Sequence, residues 1–180
     1  MLRQGHPYQL QRGYLQVQAP ISVGKNTAVG PIADMLIAQF AIKDTYTTTH
    51  PLVQIGLGAV ALYDSRDNVF YPKKGLFAKL TATAAYTNKI DIPQGQQATI
   101  NGLLSADIRH YIPLPHDLVI AWQFKGQMLL SEYFISHLTL YPMLPRLGGQ
   151  DGLRGINSDM CREDIMRALQ AELRIPIWSI

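Results

Sequence analysis

Alternation with a period of two dominates this chain. Leu76, Ala78, Leu80, Ala82, Ala84 and Tyr86 fall on one face, and Lys79, Thr81 and Thr83 fall on the other, the spacing of a strand with one apolar side. The pattern recurs near the carboxyl end, where Leu169, Ala171, Leu173, Ile175 and Ile177 oppose Gln170, Glu172 and Arg174. Leu104, Ala106, Ile108 and Ile112 oppose Ser105, Asp107 and Arg109, with His110 interrupting the apolar face. Leu118, Ile120, Trp122 and Phe124 oppose Gln123, Lys125 and Gln127, and Ile55, Leu57, Ala59, Ala61 and Tyr63 alternate with Gln54, Gly56, Gly58 and Asp64. Weaker candidates lie around Tyr14 to Ile21 and Ala33 to Lys43. The pattern predicts about seven strands, each near the roughly 9–11 residues that cross a bilayer at a tilt.

Between these strands the connections vary in length. Pro113 to Asp117 is a short turn, Thr87 to Thr99 a predicted long connection, and Tyr141 to Asp164 a longer one. Outer-membrane barrels have short turns on one side and longer loops on the other. Tyr63, Tyr86, Tyr111 and Trp178 fall near predicted strand ends, where the rings of an interfacial girdle sit. An odd strand count does not close the usual even-stranded bacterial barrel, so the expected fold is all-β, an antiparallel transmembrane β-barrel present as a fragment of a larger one. Residues 1–180 are expected to form one partial barrel domain with no second domain.

Composition alone does not separate this fold from a soluble one: 47% of the 180 residues are hydrophobic and mean hydropathy is near zero. No apolar run approaches the roughly 18 residues of a membrane-spanning helix, and Met1 to Pro7 lacks the apolar stretch of a secretory signal. The chain is therefore expected to be intracellular or a piece of something longer. Cys161 is the single cysteine, which excludes an internal disulfide and a multi-cysteine zinc site. The net charge of +3 comes from scattered Lys and Arg with no basic stripe interleaved with aromatics, so nucleic acid is not an expected partner.

Three segments carry further information. Asp64-Ser65-Arg66-Asp67-Asn68, followed by Pro72 and Gly75, is built as a turn: Asp64, Asp67 and Asn68 offer local hydrogen bonds, Pro72 fixes φ and Gly75 permits φ > 0. Leu147-Gly148-Gly149-Gln150-Asp151-Gly152-Leu153-Arg154-Gly155 is a glycine-shaped loop that carries one arginine. It lacks the Gly-Lys-Ser/Thr ending of a phosphate-cradling loop. Ala168 to Ile177 is a strand that places Glu172 on its polar face.

In this order the three segments resemble the barrel of the bacterial surface antigen superfamily, the BamA-like and TamA-like outer-membrane assembly factors and their two-partner secretion relatives. The resemblance is strongest over residues 54–177; Ile156 stands where the family has an aromatic. It implies a lumenal loop motif of Gly148, Gly149, Gly152, Leu153, Arg154 and Gly155, a barrel-wall partner in Glu172, and a turn motif of Asp64, Arg66, Asp67, Pro72 and Gly75. An Arg154 to Glu172 charge-assisted contact follows as an expectation.

The resemblance also implies a Gram-negative outer-membrane location and insertion or translocation of other proteins without covalent chemistry. A lateral seam would template client strands by β-augmentation. Implied partners are outer-membrane lipid, client β-barrel or secreted proteins, assembly lipoproteins, and periplasmic domains of a longer protein. No cofactor or metal is expected: His110 and His116 flank a proline turn without an acidic partner at ligand spacing. Ser131-Glu132 and His137 lack a nucleophile elbow, so no enzymatic activity is expected. A passive outer-membrane pore or transporter barrel and a soluble β-sandwich binding module are the alternatives.

Overall fold

The computed structural model describes residues 8–42, 52–92, 95–131, 146–147 and 161–176. All of their regular structure is β: β1 (Tyr8–Gln18), β2 (Ile21–Gly24), β3 (Thr27–Ile42), β4 (Leu52–Asp64), β5 (Gly75–Ile92), β6 (Gly95–Pro113), β7 (Val119–Ser131), β8 (Arg146–Leu147), β9 (Cys161–Arg162) and β10 (Ile165–Arg174). No helix among these residues is long and apolar enough to cross a membrane.

Eight strands form one open antiparallel sheet in the order β1-β3-β4-β5-β6-β7-β10, with β2 also against β3; β8 and β9 pair separately. Sequence neighbours are therefore sheet neighbours, the topology of successive hairpins. Gln18 opposes Ile32 and Ile21 opposes Val29, so β1 and β2 keep one register across the break at Ala19 and Pro20, and the sheet is seven strands wide. That width agrees with the strand count the alternation predicts.

Register places the faces consistently. Met35, Ile55, Tyr86 and Ile100 form one cross-strand row, and all four are exposed. On the opposite face Val60 and Thr87 are 0% exposed and Ile32, Ala85 and Asn101 are 1% exposed. Leu57 (67%), Ile100 (67%) and Leu169 (71%) stand open on the first face. Most polar and charged strand residues lie on the buried side, and the large apolar ones lie mainly on the exposed side. The right-handed twist of strands favours the curling of such a single layer toward one face. Gly58 marks one point of close approach: a Cβ there would lie 2.0 Å from the Ala82 carbonyl oxygen and 2.7 Å from Thr83 Cα.

Some boundaries differ from the sequence expectation. Thr87 to Thr99 is not a long connection: β5 runs on to Ile92, β6 starts at Gly95, and pairing resumes at Ile90 opposite Gln97 after an irregularity. That ribbon is polar in sequence, so backbone pairing continues where alternation has lost its meaning. β3 begins at Thr27, earlier than Ala33. Its buried Ile32, Leu36 and Ala38 and its exposed Val29, Met35 and Ile37 make both faces apolar, which erases the period-two signal. The short turn after Pro113 places His116 at φ 62 and Asp117 at φ 57. Two successive left-handed residues match the strand twist as a type I′ hairpin does.

Candidate functional site

The end of the buried face that holds the 65–74 turn gathers the chain's most organised side-chain chemistry. In a strand, residues two apart point the same way, and an acid–arginine unit with that spacing lies in β6 and in β10, with a third running from the end of β4 at Asp64 into the turn. Asp64 accepts from Arg66 Nε at 2.9 Å and Nη2 at 2.7 Å. Asp107 accepts from Arg109 Nε at 3.1 Å and Nη2 at 2.7 Å, and also from Gln123 Nε2 at 2.8 Å. Glu172 accepts from Arg174 Nε at 2.6 Å, and their ion pair is completed through Nη2.

Register brings the three units together. Asp64, Phe77, Arg109, Gln123 and Gln170 form one row across β4, β5, β6, β7 and β10. Phe77 therefore sits beside two guanidinium groups, with Arg66 4.6 Å and Arg109 5.4 Å from its ring centroid. Arg174 lies 5.2 Å from the Tyr111 ring and 5.6 Å from the Tyr71 ring. These are cation–π distances, strengthened by desolvation: the Arg66 side chain is only 9% exposed.

The turn between β4 and β5 is a built object. Asp67 Oδ1 accepts from the backbone N–H groups of Asn68 (3.0 Å), Lys73 (3.0 Å) and Lys74 (3.3 Å). Asn68 Oδ1 accepts from those of Phe70 (2.8 Å) and Tyr71 (3.1 Å). Desolvation pushes the Asp67 carboxyl up, but the amide donors of Lys74, Lys73 and Asn68 outweigh it and hold the carboxyl below its usual range. Ser65 and Leu76 close the neck, with Ser65 N–H donating to the Leu76 carbonyl at 2.9 Å and Leu76 N–H to Ser65 Oγ at 3.0 Å. Gly75 re-enters the sheet at φ 108.

The finished turn is fastened at two further points. Arg174 Nη1 on β10 donates to the carbonyl of the buried Pro72 at 3.3 Å, and Lys73 Nζ pairs with Asp117 of the β6–β7 turn at 3.1 Å. The turn thus crosses the buried face as a clasp from β4 to β10. Paired charges, hydrogen bonds and cation–π contacts suit this cluster to holding the turn against the sheet, a positioning task.

Of the residues singled out in the sequence, Asp64, Arg66, Asp67, Pro72 and Gly75 lie together in this turn, and Glu172 lies nearby through Arg174. The loop residues Gly148, Gly149, Gly152, Leu153, Arg154 and Gly155 lie outside the described residues, as do Glu132, His137 and Trp178. The Arg154 to Glu172 contact therefore lies outside them too. Tyr63 and Tyr86 are exposed on the apolar face, but Tyr111 is 8% exposed and belongs to the buried cluster, because odd-numbered residues of β6 face inward. His110 packs edge-on against Trp122 with ring centroids 5.8 Å apart, and His116 lies in the turn, so the two histidines do not converge. Among the described residues no three His, Cys, Asp or Glu side chains gather in a metal-ligating group.

Phe77 carries no site signal in the sequence and Tyr111 reads there as a girdle ring, while Arg109 and Arg174 read only as polar-face residues. The signal for the two arginines was the repeated acid-x-arginine spacing in Asp64-Ser65-Arg66, Asp107-Ile108-Arg109 and Glu172-Leu173-Arg174. Compared with known proteins, the chain matches no family model, no curated protein and no solved structure.

Proposed function

We propose that these strands are part of the wall of a transmembrane β-barrel in a bacterial outer membrane, and that the barrel is of the surface antigen type, which inserts outer-membrane proteins or passes proteins across that membrane. The observation that carries the membrane reading is the inverted distribution of side chains: large apolar residues stand open along one face while polar residues are buried on the other. In water such a face forfeits about 25 cal/mol for each Å² left exposed. Against lipid chains it is the stable arrangement, with the polar face turned to the lumen. Tyr63 opposes Ala78, eight residues along β5 from Tyr86. At ~3.3 Å per residue and a tilt of ~40° the two exposed rings are about 20 Å apart in height, close to the spacing of aromatic girdles.

The assembly role rests on the resemblance of the turn, the glycine loop and the Glu172 strand to the surface antigen barrel. The chemistry of the clasp agrees with it: every arginine in the clasp is engaged in holding a wall and a turn. A soluble sandwich has less support, since nothing among the described residues covers the apolar face. A passive open pore has less support because the 65–74 turn lies across the buried face.

Arg154→Ala in the full-length protein is expected to lower assembly of a client barrel in reconstituted vesicles and to make the folded barrel protease-sensitive. Wild-type assembly and resistance in that variant would remove the assembly role and leave the membrane wall standing. Recovery of the folded full-length protein without detergent would remove both.

A further inference from the structure

The exposed apolar face is not uniform. Val29, Ala61, Leu80, Ala106, Gly126 and Arg167 form a single cross-strand row over β3, β4, β5, β6, β7 and β10. The neighbouring row runs through Ala59, Ala82, Leu104, Met128 and Ile165. Ala61, Ala106 and Gly126 in the first row and Ala59 and Ala82 in the second leave space between Leu80, Leu104, Phe124 and Met128. The result is a groove of about 520 Å³, within the range of small-molecule sites.

One end of this groove is charged. Arg167 is exposed and belongs to the groove wall. It lies on the apolar side of β10, between Ile165 and Leu169, which are both exposed. Among the described residues it has no ion-pair partner. A guanidinium on a lipid-facing surface is tolerated where it reaches the headgroup level, and Arg167 is two residues from the start of β10, at the rim of the sheet. Val29, at the other end of the row, is two residues from the start of β3, where the tight turn after β2 lies. The row therefore runs obliquely from the rim that holds the β2–β3, 65–74 and β6–β7 turns to the opposite rim, where β10 begins, as strand tilt requires.

An apolar trough with a single cation at its rim is complementary to an amphiphile with one anionic end. We propose that this groove holds a membrane lipid, with an acyl chain laid over Ala82, Ala106 and Gly126 and a lipid-borne phosphate on the Arg167 guanidinium. The assignment rests on the membrane reading above. It goes beyond it by naming a specific annular site, the leaflet at the rim where β10 begins, and a lipid phosphate as the recognised group, for which the planar fork of arginine is suited.

The test uses the full-length protein in nanodiscs of mixed phosphatidylcholine and phosphatidylglycerol, extracted into mild detergent, with retained lipid counted by native mass spectrometry. Phosphatidylcholine also carries a phosphate but is neutral overall, so the preference reports net anionic charge at Arg167. Wild type is expected to retain phosphatidylglycerol over phosphatidylcholine by about tenfold, because the choline cation of the latter already neutralises the phosphate that Arg167 would bind. Arg167→Gln should bring the preference close to unity, and Ala82→Phe should displace both lipids. Excess inorganic phosphate should leave retention unchanged, because the acyl chain supplies much of the binding. An unchanged preference in Arg167→Gln, or displacement of the lipid by inorganic phosphate, would overturn the site. If the protein instead folds without detergent and takes up no lipid, the membrane reading falls and the site falls with it. Arg167→Gln is a surface change and keeps the test decisive if Ala82→Phe does not fold.

Discussion

Replacing Gly75 by alanine probes whether the 65–74 clasp is as tightly determined as its geometry indicates. Gly75 holds φ at 108, which an L side chain adopts only under strain of about 1–3 kcal/mol. The added Cβ would lie 2.4 Å from the Ser65 carbonyl oxygen and 2.8 Å from Arg66 Cα. Both are backbone atoms, so no side-chain rotation relieves the contact. Moving Ser65 away would break its 2.9 Å bond to the Leu76 carbonyl and the 3.0 Å bond that its Oγ accepts, each worth about 0.5–1.5 kcal/mol. The combined cost is about 2–5 kcal/mol, since relaxation makes the contributions less than additive. The matched control is Gly13→Ala, where a Cβ meets nothing within 4 Å and the change should stay within about 0.5 kcal/mol. Urea unfolding of the full-length protein in detergent, followed by tryptophan fluorescence, reads both as a midpoint shift at constant slope. Equal midpoints for the two variants would refute the view that this turn is locked at Gly75.

Gly58→Ala should pry β4 from β5, because the new Cβ meets the Ala82 carbonyl oxygen at 2.0 Å; a loss of about 1–3 kcal/mol in the same unfolding assay is expected. Arg174→Met keeps the aliphatic stem but removes the bond to the Pro72 carbonyl and the contacts with Tyr71 and Tyr111. Trypsin should then cut after Lys73 or Lys74 several times faster, and unchanged cleavage would contradict the clasp. Asp67 gives a pH signature. Its folded carboxyl titrates below the unfolded value near ~3.9, so its stabilisation is fully present above that value and is lost as pH falls through the lower folded one. Asp67→Asn should flatten the acid side of the urea-midpoint curve, and an identical acid side in both proteins would count against the amide cage.

Legibility in the sequence followed how cleanly each strand separates two environments. β5 shows its period from Leu76 to Tyr86 because Lys79, Thr81 and Thr83 face inward while Leu80, Ala82 and Ala84 face outward. β3 does not, because Ile32, Leu36 and Ala38 on its inner side are as apolar as its outer residues. The turn residues Asp64, Asp67, Pro72 and Gly75 were legible because their roles are local: each acts on backbone within about ten positions. The arginine–aromatic cluster was not, because its members meet only through register, which sequence spacing leaves undetermined across long connections. Tyr111 is the clearest case. Its place near a strand end suggested a girdle, and only the parity of β6 assigns it to the other face.

If the sheet is the membrane wall proposed above, the acid–arginine units also bear on how it would insert. Asp107 with Arg109 and Glu172 with Arg174 each pair within one strand, two residues apart. Their encounter needs no long loop to close, so these pairs can form early, before distant strands dock. The inward-facing acid and arginine of β6 and of β10 would then be matched before insertion, with Arg167 on the outer side of β10 the exception. On that reading each such strand would carry its acid and its arginine into the bilayer as a neutral pair, whichever hairpin docks first.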